Sequence, residues 1–129
     1  MKIKTSELTG QALGWAAAIA DKRQVRFGRG GGGLEVRGRT EDGKELPEMW
    51  DLWMPWHPQS NWSQGGPIID REHISATVDD SGVWLAYCQY NYAGEARFMH
   101  AGSTPLTAAM RCYVASELGD EVDVPDELV

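Results

Sequence analysis

The sequence predicts an α+β domain in which an antiparallel sheet of about five strands carries two helices packed on one face. Three observations point there. Short apolar–polar alternations recur between turn-forming residues, as in antiparallel strands joined by hairpins. Two segments near the ends, Ser6 to Ala20 and Thr104 to Leu118, repeat apolar residues at helical spacing. A length of 129 residues suits one domain, so residues 1–129 are read as a single domain.

Taken in order, Lys2 to Thr5 alternates and reads as a first strand. Ser6 is placed to cap a helix ending near Ala20, with Leu8, Ala12, Leu13, Ala16, Ile19 and Ala20 on one stripe. Gly10 and Gly14 each cost that helix about 1 kcal/mol against alanine, so close approach to the sheet or to another helix is expected there. Gln24–Phe27 and Leu34–Arg37 read as strands around Gly28 to Gly33. That glycine run leads into strand sequence and lacks the lysine of a P-loop, so it reads as a hairpin tip rather than a phosphate cradle. Glu41 to Lys44 reads as a turn, Met49 to Met54 as a candidate strand, and Pro55 to Pro67 as a long loop. Loops of that length are more often functional than idle.

Ile74–Val78 and Val83–Tyr90 flank turn residues Asp79 to Gly82, and Glu95 to Ala101 is a further strand candidate. The second helix has the clearest signals: Thr104 as N-cap, Pro105 at the first helical position and Gly119 past the end. The segment 119–129 reads as a short ordered stretch or a frayed terminus.

Charge is distributed unevenly. The net charge is −7, yet residues 1–44 hold nine of the twelve basic residues and five of the nineteen acids. Duplex nucleic acid binding needs many cations neutralising phosphates, so the acidic remainder argues against it. A small anion held by a few arginines is compatible with the same numbers. So is a homodimer that matches basic to acidic surface, which is the expected oligomeric state. No apolar run approaches the roughly 20 residues of a membrane span, and the first residues lack a signal-peptide core, so a cytoplasmic location is expected. Cys88 and Cys112 read as reduced, buried hydrophobes. No cysteine or histidine pair has metal-ligand spacing, and neither a metal nor a cofactor is expected. No nucleophile elbow or acid–base pair is visible either, so an enzyme is not expected.

The densest constellation runs from Asn61 to Glu72. Gly65 and Gly66 would offer backbone N–H groups to an anion, and Arg71 a planar two-pronged contact. Trp62 would stack a base, with Asn61, Ser63 and Gln64 as donors and acceptors. Thr104 opens a helix whose free N–H groups suit the same anion. These eight residues form the candidate ligand site. The competing account gives them structural work alone, with Thr104 capping its helix and Arg71 pairing with Asp70 or Glu72. Trp50, Trp53, Trp56 and Trp62 cluster in the sequence, either as core filling or as an aromatic wall.

Three separated stretches carry a resemblance: Met1 to Gly10; Trp62 to Glu72; and Thr104-Pro105-Leu106 with Ala108 to Ser116 and Leu118 to Val122. Together they resemble a family of short tailed-phage and prophage proteins that includes the NinX proteins of the lambdoid phage nin region. Gly30–Gly33 and Trp50–Trp56 fall outside the matching motifs. The resemblance implies a phage-encoded accessory protein made inside an infected or lysogenic bacterium, and it carries no particular chemistry with it. Two functions follow as expectations. One is a binder that sequesters an anionic, nucleotide-like small molecule. The alternative is a module that binds a host protein and inhibits or redirects it.

Overall fold

A computed structural model describes residues 1–40, 43–47 and 51–129. The turn at Glu41–Asp42, the start of the Met49–Met54 strand and Trp50 lie outside the described residues. The order is β1 (Lys2–Lys4), α1 (Gly10–Ala20), β2 (Val25–Phe27), β3 (Leu34–Arg37), β4 (Trp53–Pro55), α2 (Trp62–Glu72), β5 (Ser75–Val78), β6 (Trp84–Tyr90), β7 (Ala96–Gly102), α3 (Pro105–Leu118) and β8 (Glu121–Asp123). The mixed α+β class holds. The single sheet with two helices does not.

Among the described residues the strands form three antiparallel sheets, ordered β1-β8, β2-β3-β4 and β5-β6-β7. Their registers centre on Ile3 opposite Val122, Val36 opposite both Val25 and Met54, and Ala86 opposite both Ala76 and His100. Between β4 and β5 the chain turns into α2, and among the described residues no ladder joins the second sheet to the third. α3 lies on β6 and β7 and packs against α1. Their buried residues, among them Leu13, Ala16, Met110 and Val114, share one core with Val36, Ala86 and Trp56.

Local chemistry explains most boundaries. At α3 the Thr104 hydroxyl accepts from the Thr107 amide at 3.1 Å and Pro105 stands at the first turn, as its sequence signals require. Ser6 caps nothing. It sits in a 3-10 turn, Thr5–Glu7, and α1 starts only at Gly10, whose φ of 53° a glycine adopts without strain. Gly14 has close neighbours, but in the segment between β4 and α2 and not in the sheet or another helix: its carbonyl accepts the Trp56 indole N–H at 2.8 Å, and a Cβ there would meet Gln59 Oε1 at 3.2 Å, whereas a Cβ on Gly10 would meet nothing within 4 Å. The Gly28–Gly33 run is the tip of the β2–β3 hairpin, closed by Gly28 N donating to Gly33 O at 2.6 Å.

The long loop is also corrected. Its second half is the start of α2, capped by the Asn61 side chain accepting from the Ser63 amide at 2.9 Å. Pro67 stands inside that helix, where it forfeits one backbone bond. Burial of Gly65 and Ile68 offsets the loss, because tertiary packing overrides a weak local propensity. The helix ends at His73, left-handed at φ 52°. Near the C-terminus, β8 pairs with β1, and Val122 and Val124 are buried.

Cys88 and Cys112 are both free thiols, buried face to face between β6 and α3 with their Sγ atoms 3.2 Å apart.

Candidate functional site

The eight residues read as one ligand site do not converge. Asn61 is the α2 cap. Gly65 N already donates to Asn61 O at 2.9 Å, and a Cβ on Gly65 would overlap Leu106 Cδ2 at 2.6 Å. Gly65 therefore serves helix packing and presents no N–H to an anion. Gly66 follows it in the same helix. Trp62, 58% exposed, lines a largely apolar cavity of about 420 Å³ together with Thr104, Pro105 and Leu106. Ser63, Gln64 and Arg71 line a different cavity, of about 380 Å³. Gln64 is committed there: its Oε1 accepts from His57 N at 2.8 Å and its Nε2 donates to Pro55 O at 2.6 Å.

The second cavity carries the charge. Its lining includes Asp21, Arg23, Arg39 and Arg71, above Met54, Trp56 and Ile68. Asp21 follows the last turn of α1, and Arg39 Nη2 donates to the carbonyls of Asp21 at 2.9 Å and Lys22 at 3.1 Å. A cation at a helix C-terminus satisfies carbonyls the helix leaves open. The Asp21 carboxylate, 8% exposed, accepts from Arg71 Nη2 at 2.8 Å and faces Arg39 Nη1 at 3.4 Å. The Tyr113 hydroxyl donates to the same carboxylate at 3.3 Å and accepts from Arg71 Nη2 at 3.2 Å. Arg71 also donates from Nε to Glu72 at 3.0 Å.

Arg23 differs from the other two. Its guanidinium lies 4.8 Å from the centre of the Trp56 ring, and Nη2 donates to Arg37 O at 2.9 Å. Among the described residues it has no carboxylate partner, and its Nε is buried without a hydrogen bond, as is that of Arg39. Burial, and then the neighbouring Arg39, press the Arg23 pKa below its usual value. Burial also works on Arg71, but Glu72, Asp21 and Tyr113 outweigh it and hold Arg71 above the ordinary range. Burial pushes the Tyr113 phenol up, and Asp21 adds to the shift. The cavity is thus a concave surface on which, among the described residues, three arginines outnumber one carboxylate, Asp21.

The sequence named Ser63, Gln64 and Arg71 of this cavity and placed Trp56 in the tryptophan cluster, but Asp21, Arg23 and Arg39 were missed. The signal for Arg23 and Arg39 was the basic excess of residues 1–44. It marked the stretch without marking which side chains would meet.

The family model described as Bacteriophage P22, NinX matches residues 4–117, most of the chain. The chain belongs to this family. No protein in the curated set matches it. Asp21, Arg23, Arg39 and Arg71 all fall inside the matched span, so the cavity sits within the family's own region. Among the described residues, no helix of this phage-family protein is long and apolar enough to cross a membrane.

Proposed function

We propose that the protein binds a small phosphate-bearing anion in the cavity lined by Arg23, Arg39 and Arg71. Arg23 carries the reading. A half-buried guanidinium, stacked on Trp56 and lacking a carboxylate partner among the described residues, lines the cavity with an unpaired positive charge that an oxyanion would neutralise. Arg39 and Arg71 line the same space and add charge. The phosphate part of a nucleotide suits this chemistry. A base would find no open aromatic face there, because Arg23 covers Trp56 and Trp62 lines the other cavity. The reading therefore rests on the phosphate group and not on base stacking.

Titration calorimetry with inorganic phosphate, methyl phosphate and a nucleoside monophosphate tests it. Saturable binding by the wild type, lost in Arg23→Ala while the melting temperature is kept, is the expected result. Heats indistinguishable from dilution for all three probes would reject the reading.

A further inference from the structure

We propose that Asp21 is an internal counter-anion that an incoming anion must partly displace, so that Asp21 sets the affinity of the cavity; this rests on the anion-binding reading above. The Asp21 carboxylate holds donors that an oxyanion would use. Oδ1 takes Arg71 Nη2 at 2.8 Å and Oδ2 faces Arg39 Nη1 at 3.4 Å. Arg39 is anchored through Nη2 to two carbonyls at the end of α1 and cannot follow a ligand. Arg71 is half-exposed in the last turn of α2, and among the described residues its other hydrogen bonds go to the side chains of Glu72 and Tyr113. It is the arm free to turn toward the cavity. A ligand therefore meets in Arg23 a guanidinium that no carboxylate of the described residues pairs with directly, although Asp21 and Glu45 act on it through space, and it contests Arg71 with a carboxylate already in place.

The alternative role for Asp21 is organisational, with the carboxylate holding the arginines in position for the ligand. The two roles predict opposite signs for an isosteric change. Asp21→Asn keeps the shape and one acceptor oxygen but removes the competing charge. Asp21→Glu carries the carboxylate one methylene further into the cavity.

Calorimetry with inorganic phosphate at pH 7.5, on variants shown by circular dichroism to be folded, separates them. The expected result is binding about ten-fold tighter in Asp21→Asn and several-fold weaker in Asp21→Glu, the order expected when a close like charge is removed or advanced. Whichever of the two variants folds reports on its own. Binding by the wild type that is unchanged or weaker in Asp21→Asn, or unchanged or tighter in Asp21→Glu, overturns the competitor role and leaves the anion site standing. Absence of binding in the wild type and in Asp21→Asn alike removes the anion reading, and this inference with it.

Discussion

Gly65 in α2 is pressed against the carbonyl of Pro58, and a Cβ added to Gly65 would overlap that oxygen as well as Leu106 Cδ2. A glycine that looks like a loop residue in the sequence is the point where α2 closes onto the preceding segment and the start of α3. Its neighbour Gly66 has only the edge of Trp62, at 3.9 Å, near its own Cβ position.

The pair gives a sharp contrast. Gly65→Ala should destabilise by about 2 kcal/mol or more, because overpacking outweighs the better helix propensity of alanine. Gly66→Ala should be neutral or stabilise by up to about 1 kcal/mol. Urea denaturation of both variants checks this, and equal effects of the two would refute it.

The same glycines show why the sequence was only partly legible. α3 was readable because Thr104, Pro105 and Gly119 are local signals, each acting within a turn of its own position. α2 was not, because Gly65, Gly66 and Pro67 all oppose a helix locally, and only contacts with Pro58 and Leu106 explain it. β8 was missed for a related reason, since it is three residues long and its partner β1 lies at the other end of the chain. The candidate site failed in the same way. Residues close in sequence between Asn61 and Arg71 were grouped, whereas α2 sends Trp62 to one cavity and Ser63, Gln64 and Arg71 to another. The charged cavity gathers Asp21 after α1, Arg23 before β2 and Arg39 after β3, and nothing periodic links those positions.

Cys88 and Cys112 provide a second prediction. Both thiols are buried, and the hydrogen bond between them lowers the pKa of Cys88 and raises that of Cys112, with burial adding to the rise. Reaction with a thiol reagent needs an exposed thiolate, which neither side chain offers. Native-state labelling of Cys112 should be at least about a hundred-fold slower than in denaturant, because it must wait for opening of the β6–α3 interface. Comparable rates in the two conditions would refute the burial.

His100 gives a pH dependence. It sits on the face of β7 turned toward α3, where burial lowers its pKa below 6.5, Arg111 adds to the lowering and Asp120 opposes both. The unfolded chain therefore takes up a proton at higher pH than the folded one. The sign follows: the contribution of His100 to stability is whole above about pH 6.5 and falls as the pH drops below that value. His100→Gln should show a shallower loss of melting temperature between about pH 7.5 and 5.5 than the wild type. Parallel curves for the two proteins would refute it.

Trp56 and Trp62 separate the two readings left open for the tryptophan cluster. Trp56 is 4% exposed, its indole N–H donates to Gly14 O at 2.8 Å, and Arg23 lies over its ring. Trp62 is 58% exposed, and its nearest glycine neighbour is in its own helix. The cluster is therefore core filling at one position and surface at the other. Trp56→Phe removes a buried hydrogen bond and part of a packed ring, and should cost about 2–3 kcal/mol. Trp62→Phe should change stability by less than about 0.5 kcal/mol. Because Arg23 rests on Trp56, Trp56→Phe should also weaken phosphate binding in the fraction that remains folded, whereas Trp62→Phe should leave it intact. Urea midpoints at unchanged slope, read beside calorimetry on the same preparations, decide the point: a larger loss of stability from Trp62→Phe would refute the burial contrast, and a larger loss of phosphate binding from Trp62→Phe would mean that the aromatic wall, and not the arginine cavity, is where the ligand sits.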